Sequence, residues 1–136
     1  MWIVDIPIER KYGIARCCCV STTSSNLHSA LAAFGLDQRD DLLIEVSTEL
    51  AKAVLERILA ASFVDGLEAM PQHRASVLAN EFVETFKCEG GRFFSNGDWA
   101  DPNAYTWQSF THSVYDGGLI AYGPTVSACV WVEEDD

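Results

Sequence analysis

The hydrophobic positions near the start of the chain follow a strand-like pattern in two segments, residues 2–8 (WIVDIPI) and 13–21 (GIARCCCVS). Both are rich in β-branched, aromatic or small apolar residues, which favour β-strands. Pro7 has no backbone N–H to donate to a neighbouring strand, so we expect the first segment to be an edge strand or to end there. The pattern therefore predicts a pair of strands joined by a turn near Gly13.

A short helix is predicted for residues 27–34 (LHSALAAF), directly after a polar run. Ser25 or Asn26 can cap its first turn, because a side-chain oxygen at that position accepts a hydrogen bond from a free backbone N–H. Gly35 is suited to end the helix, because glycine readily adopts the left-handed conformation found after many helices.

Two longer helices are predicted next. The first lies between Asp37 and about Phe63, and the second begins near Pro71 and ends at Gly90-Gly91. In the first, apolar residues recur at steps of three and four and so trace one helical face, at Leu43, Val46, Leu50, Val54, Ile58 and Ala61. In the second, the core stripe is predicted to comprise Leu78, Phe82 and Phe86.

The last third of the chain is predicted to form strands and loops. Asn96-Gly97 is a strong hairpin-turn signal. Segments 118–122 (GLIAY) and 127–133 (SACVWVE) are strand-like and closely spaced, which predicts an antiparallel hairpin. We therefore expect a single domain, residues 1–136, of the α+β class. Its antiparallel sheet, built from the N-terminal strand pair and the C-terminal hairpin, would pack against two or three helices.

Acidic residues outnumber basic ones by 20 to 9, giving a net charge of −11. The excess is concentrated in residues 36–70 and 92–136, and Arg92 is the last Lys or Arg in the chain. Phosphate contacts need Lys and Arg, so this distribution argues against direct nucleic-acid binding. An acidic field favours encounter with a basic protein, although an acidic surface can also serve only to keep a protein in solution.

The five cysteines predict packing rather than cross-linking. Three are consecutive, so on a strand their side chains alternate between the two faces, and the odd total leaves one thiol unpaired. We expect reduced thiols and a cytoplasmic location. Neither a CxxC pair nor a ligand-like spacing of histidines is present, so no metal or cofactor is predicted. The cysteines are Cys17, Cys18, Cys19, Cys88 and Cys129.

Known catalytic and membrane signatures are missing from the sequence. It contains no glycine-rich nucleotide loop and no HExxH motif. No hydrophobic run approaches the ~18 residues that span a bilayer, and the start lacks a signal-peptide pattern. We therefore expect a protein that is neither an enzyme nor bound to membranes. A small enzyme that uses Cys17, Cys18 or Cys19 remains the alternative from another functional class.

Residues 93–107 (FFSNGDWADPNAYTW) combine large rings, acids and turn residues. In one interpretation, Phe93, Trp99, Trp107 and Phe110 fill the core while the acids face solvent. In the other, some of the rings stay partly exposed and anchor a basic partner. On the second interpretation we predict a partner-binding set of Asp98, Trp99, Asp101, Tyr105, Trp107, Asp116, Glu133 and Glu134.

Small size, acidity and aromatic residues in loops together indicate a dedicated inhibitor. Toxins and defence complexes that act on nucleic acids need basic active surfaces, which an acidic protein can cover without chemistry. The sequence predicts an immunity protein that neutralises a bacterial toxin. A phage-encoded anti-defence inhibitor, such as an anti-CRISPR or a DNA mimic, is the alternative within the same class.

Overall fold

The computed structural model describes residues 3–23, 25–99, 101 and 106–135. The predicted α+β class, an antiparallel sheet packed against helices, is confirmed. In chain order the strands and helices are β1 (Ile3–Ile8), β2 (Ile14–Ser21), α1 (Leu27–Ala33), a 3₁₀ turn (Asp40–Leu42), β3 (Ile44–Val46), α2 (Thr48–Ala60), α3 (Gln72–Cys88), β4 (Arg92–Ser95), β5 (Tyr115–Tyr122) and β6 (Val126–Glu134).

The strands of the described chain form one antiparallel sheet with the order β1-β2-β6-β5-β4-β3. The predicted N-terminal pair is confirmed, with Ile6 opposite Cys17. The predicted C-terminal hairpin is also confirmed, with Leu119 opposite Val130. The two units join because β6 pairs with β2 as well as with β5. Strand β1, which contains Pro7, lies at an edge as expected.

Helices cover both faces of this sheet. Helices α2 and α3 pack on one face, where the core includes Leu55, Leu59, Val83, Leu119 and Val130. Helix α1 packs on the other, where the core includes Leu31, Phe34, Phe110, Ile120 and Trp131. The consecutive cysteines alternate as predicted, since Cys18 belongs to the α1 side and Cys17 and Cys19 contact the α2–α3 side. All five thiols are free.

The prediction of one helix from Asp37 to Phe63 is wrong in its first part. A 3₁₀ turn and strand β3 come first, and α2 begins only at Thr48. The Ser47 hydroxyl accepts a hydrogen bond from the Leu50 N–H at 3.3 Å and so caps the helix. Before that cap, β3 pairs with β4, and these backbone hydrogen bonds with a distant segment override the helical spacing.

The other turn and helix signals have mixed outcomes. Asn26 caps α1 as predicted, and Gly35 follows that helix with a φ of 78°. Helix α3 is confirmed, with Pro71 as its N-cap. Asn96-Gly97, however, does not form a hairpin turn. Strand β4 ends just before it, Asn96 is buried, and a long loop leads to β5.

Candidate functional site

One end of the sheet gathers most of the predicted site residues. We call it the loop end and define it as the β1–β2 turn together with segments 61–68, 96–114 and 133–135. These segments meet because α2, β4 and β6 finish there and β5 begins there. The pairing of Tyr115 with Glu134 fixes the relative positions of the last two strands.

Four partly exposed rings form a continuous row across the loop end, which we call the aromatic row. The ring centroids are 5.1 Å apart for Phe63 and Trp99, 6.1 Å for Trp99 and Trp107, and 6.0 Å for Trp107 and Tyr115. These separations are typical of interacting aromatic pairs. A pocket of about 240 Å³ lies against the row and is also lined by Asp98.

Two glycines make room for this row. A Cβ atom at Gly117 would lie 2.9 Å from Trp99 Cζ2 and 3.2 Å from Phe63 Cζ. A Cβ atom at Gly97 would lie 2.6 Å from Trp107 Cβ. Any larger residue at these positions would displace the rings, so the glycines fix how closely the row approaches the backbone.

A buried polar network lies below the aromatic row. Asn96 accepts a hydrogen bond from Trp99 Nε1 at 3.0 Å and donates one to the Asp116 carbonyl at 2.9 Å. The Asp116 carboxylate accepts hydrogen bonds from Phe110 N at 3.1 Å and Ser109 Oγ at 3.0 Å. Burial raises the pKa of Asp116, and these hydrogen bonds act in the opposite direction.

Asp116 and Glu134 must be removed from the predicted partner-binding set, because both are buried. Glu134 forms an ion pair with Arg10, and 2.8 Å separates its Oε2 atom from Nη1. It also accepts hydrogen bonds from Ser62 Oγ at 2.7 Å and from the Phe63 N–H at 3.2 Å. Both carboxylates therefore hold the loop end together from inside.

Arginine side chains also hold the loop end together by binding backbone carbonyls. Arg57 donates to the carbonyl of Trp99 and, at 3.0 Å, to that of Asp101. On the α1 side of the sheet, Arg39 donates to the carbonyl of Ser109. These guanidinium groups fix the loop that carries the central rings of the aromatic row.

The other predicted site residues differ in exposure. Asp98 and Asp101 are exposed, and within the described residues Asp98 forms no ion pair. Glu133 is half-buried and accepts a hydrogen bond from Ser113 Oγ at 2.9 Å. Tyr105 lies outside the described residues.

Each of the two interpretations of residues 93–107 and Phe110 holds for some of the rings. Phe93 and Phe110 are buried, on opposite faces of the sheet, and fill the core. Trp99 and Trp107 are only half-buried, at the loop end. The segment therefore contributes both to the core and to the surface.

Cys17 and Cys18 show the opposite of the pKa shift that activates a catalytic cysteine. Burial raises the pKa of Cys17 and of Cys18 to about 11, whereas a nucleophilic cysteine has a lowered pKa. In the described part of the chain, no group of three or more His, Cys, Asp or Glu residues could hold a metal ion. Nor does any described helix combine the length and hydrophobicity needed to cross a bilayer.

Sequence reasoning missed four residues that build the site: Phe63, Asn96, Tyr115 and Gly117. The contacts of Phe63 join segments far apart in the chain, and no local pattern reports such contacts. The sequence does contain a signal for Gly117, because a glycine inside a strand often marks a place where another group packs closely against the backbone.

Comparison with protein-family models, with curated proteins and with solved structures gave no match. The geometry of the loop end is therefore the basis on which a function can be assigned.

Proposed function

We propose that this protein is an acidic inhibitor that binds and occludes a basic surface of another protein through its loop end. An immunity protein that neutralises a cognate bacterial toxin is the leading form of this function. One observation carries the proposal: a partly exposed aromatic row lies beside exposed acids, and three of its four rings come after Arg92, the last Lys or Arg in the chain.

The charge of the loop end supports a basic partner. Its segments 61–68, 96–114 and 133–135 contain no Lys or Arg. In the β1–β2 turn, the Arg10 side chain is buried and paired with Glu134, so it contributes little positive charge at the surface. Lys11 of the same turn is exposed, and Glu9, which is also exposed there, balances its charge. An acidic surface of this kind accelerates binding to a basic protein and disfavours acidic competitors. The acids of these segments that are not buried are Asp65, Glu68, Asp98, Asp101, Glu133 and Asp135.

The aromatic row supports a protein partner rather than a diffuse electrostatic contact. Large, rigid rings supply most of the binding energy in many interfaces, and surrounding polar residues provide specificity. Trp99 and Trp107 are held by hydrogen bonding and close packing, so little side-chain freedom is lost on binding. The loop end thus combines aromatic side chains that can anchor a partner with acidic residues that favour a basic one.

A phage-encoded inhibitor of a defence complex would use the same kind of surface. An anti-CRISPR protein or a DNA mimic would also bind a basic protein, so the identity of the partner separates these forms of the proposal. The cysteine-dependent enzyme is less well supported, because the pKa values of its candidate nucleophiles are raised.

The proposal is tested by affinity capture with wild-type protein and two charge-reversal variants, followed by binding measurements on the purified partner. Asp98→Lys reverses an exposed charge at the loop end. Glu89→Lys makes the same change in net charge at an exposed position that follows α3, at the opposite end of the sheet. Folding of both variants is checked by thermal unfolding.

We expect a basic partner whose activity is inhibited by the wild-type protein. D98K should weaken its binding by roughly tenfold and reduce the salt dependence, whereas E89K should bind almost like wild type. An acidic partner, or a basic partner bound equally well by D98K and wild type, would contradict the proposal. A toxin as partner supports the immunity form, and a nucleic-acid-binding defence complex supports the phage form.

A further inference from the structure

We propose that the pocket beside the aromatic row receives a single arginine side chain of the partner, as the anchor of the complex. This inference rests on the proposed function, since it assigns a chemical group to the loop-end contact. The pocket is lined by Trp99, Trp107, Tyr115 and Asp98, which together offer π faces and a carboxylate.

The size of the pocket limits its occupant. Its volume is about 240 Å³, below the range of about 300–1,000 Å³ that is usual for sites of drug-sized ligands. One protruding side chain is a better match than a free cofactor. Asp98, one of the exposed acids of the loop end, lines the pocket, so a side chain of a protein docked on these acids can reach it.

The lining favours a planar cation. Guanidinium groups stack on Trp and Tyr rings through cation–π attraction and form charge-assisted hydrogen bonds with carboxylates. Asp98 is exposed, lines the pocket and has no ion pair within the described residues, so it can accept such hydrogen bonds. Citrulline has nearly the same shape as arginine but no charge, and should gain little from either group.

Among the described residues that line this pocket, Arg57 is the one cation, and it must be included in the charge balance. Its guanidinium donates to the backbone carbonyls of Trp99 and Asp101, which partly offset its charge. Asp98 contributes the opposite charge to the same pocket, and the loop-end segments 61–68 and 96–114 add acids without adding any Lys or Arg. The local field therefore still favours a positively charged occupant.

The rings that would receive the guanidinium are already in place. Trp99 is held through its indole N–H by Asn96 at 3.0 Å, and Gly117 lies directly against its ring. Trp107 lies between Trp99 and Tyr115, with 6.1 Å and 6.0 Å between centroids. A pocket formed before binding avoids the entropy cost of ordering its walls.

The test uses acetyl-arginine amide and acetyl-citrulline amide as probes, with ¹⁹F NMR of protein labelled with 5-fluorotryptophan. We expect acetyl-arginine amide to shift the Trp99 and Trp107 signals in a saturable way at millimolar concentrations. The signal of Trp131, which is buried on the α1 face, serves as an internal control. Acetyl-citrulline amide should cause much smaller shifts.

Two variants test whether the arginine probe binds in this pocket. Trp107→Leu should weaken binding of the arginine probe about three- to thirtyfold through loss of the cation–π contact. Asp98→Asn, which preserves shape, should weaken it about two- to fivefold through loss of the charge pair. Equal shifts with both probes, no shift with arginine, or unchanged binding by both variants would overturn the inference.

Failure of this inference can be told apart from failure of the proposed function. If the arginine probe does not bind but D98K still loses a basic partner, the loop end is the docking surface without an arginine anchor. If the probe binds as expected but no basic partner is captured, the pocket recognises guanidinium groups and the inhibitor function is wrong.

Discussion

Arg10 and Glu134 form an ion pair in the interior, with side-chain exposures of 0% and 3% and 2.8 Å between Nη1 and Oε2. Arg10 also donates to the Leu59 carbonyl at 3.1 Å, and Glu134 accepts from the Phe63 N–H at 3.2 Å. The pair therefore connects the β1–β2 turn, the end of α2 and the end of β6. Through Phe63 it also positions the first ring of the aromatic row.

Removing one member of this pair should be strongly destabilising. Glu134→Ala leaves the Arg10 charge buried without its partner, and we expect a loss of about 3–5 kcal/mol in the free energy of unfolding, measured with urea. Asp5→Ala is the matched control, because it breaks the more exposed Asp5–Arg16 pair and should cost about 0–1 kcal/mol. Similar losses for the two variants would contradict a structural role for the buried pair.

A methyl group at Gly117 should disturb the aromatic row. In Gly117→Ala the new Cβ would lie 2.9 Å from Trp99 Cζ2, so the indole must move, at a cost of about 1–3 kcal/mol. Tryptophan fluorescence should change with it, and binding of the arginine probe should weaken. Gly35→Ala is the control. It carries only the strain of a φ of 78°, with no atom within 4 Å of the new Cβ, and should leave the fluorescence unchanged.

The five thiols should differ sharply in reactivity. Cys88 is exposed and should react rapidly with iodoacetamide at pH 8. Cys17 and Cys18 have pKa values of about 11, so only about one thiolate in a thousand is present at that pH, and modification should be at least roughly a hundredfold slower than for an ordinary thiol. Cys88→Ser should therefore abolish the rapid phase, as followed by mass spectrometry. Rapid labelling of Cys17, Cys18 or Cys19 in that variant would favour the enzyme alternative.

The same thiols should make stability fall at alkaline pH. The pKa values of Cys17 and Cys18 rise from 9.0 to about 11 on folding, so the unfolded chain loses these protons first. The contribution of these two thiols to the free energy of unfolding is therefore complete below pH 9, and it is lost as the pH rises towards 11. Urea midpoints should therefore fall less steeply over this range in a Cys17→Ala/Cys18→Ala variant than in wild type. Parallel curves would show that the two thiols do not contribute.

Local signals predicted the parts of the fold that depend on neighbouring residues. The strand pair β1–β2, the hairpin β5–β6 and the Asn26 cap of α1 all follow from short patterns in the sequence. The apolar spacing before Ser47 was misleading, because it resembled a helix while its backbone pairs with β4. Pairing between segments this far apart leaves no trace in hydrophobic periodicity.

The candidate site, like the fold, could be predicted only in part from the sequence. Trp99 and Trp107 were identified from their place in an acidic loop, but burial of Asp116 and Glu134 was not foreseen. An acid near a strand end is normally expected to face solvent. Here the decisive partner of Glu134 is Arg10, at the other end of the chain, and only the folded sheet brings them together.

The place of β6 between β2 and β5 also determines how the chain can assemble during synthesis. Strand β6 comes after the other described strands in the sequence. Until β6 emerges from the ribosome, no strand pairs with both the β1–β2 hairpin and the β3–β4–β5 unit. We therefore expect nascent chains whose β6 has not yet left the ribosome to hold two half-sheets that share no backbone hydrogen bonds, with exposed edges that chaperones can bind.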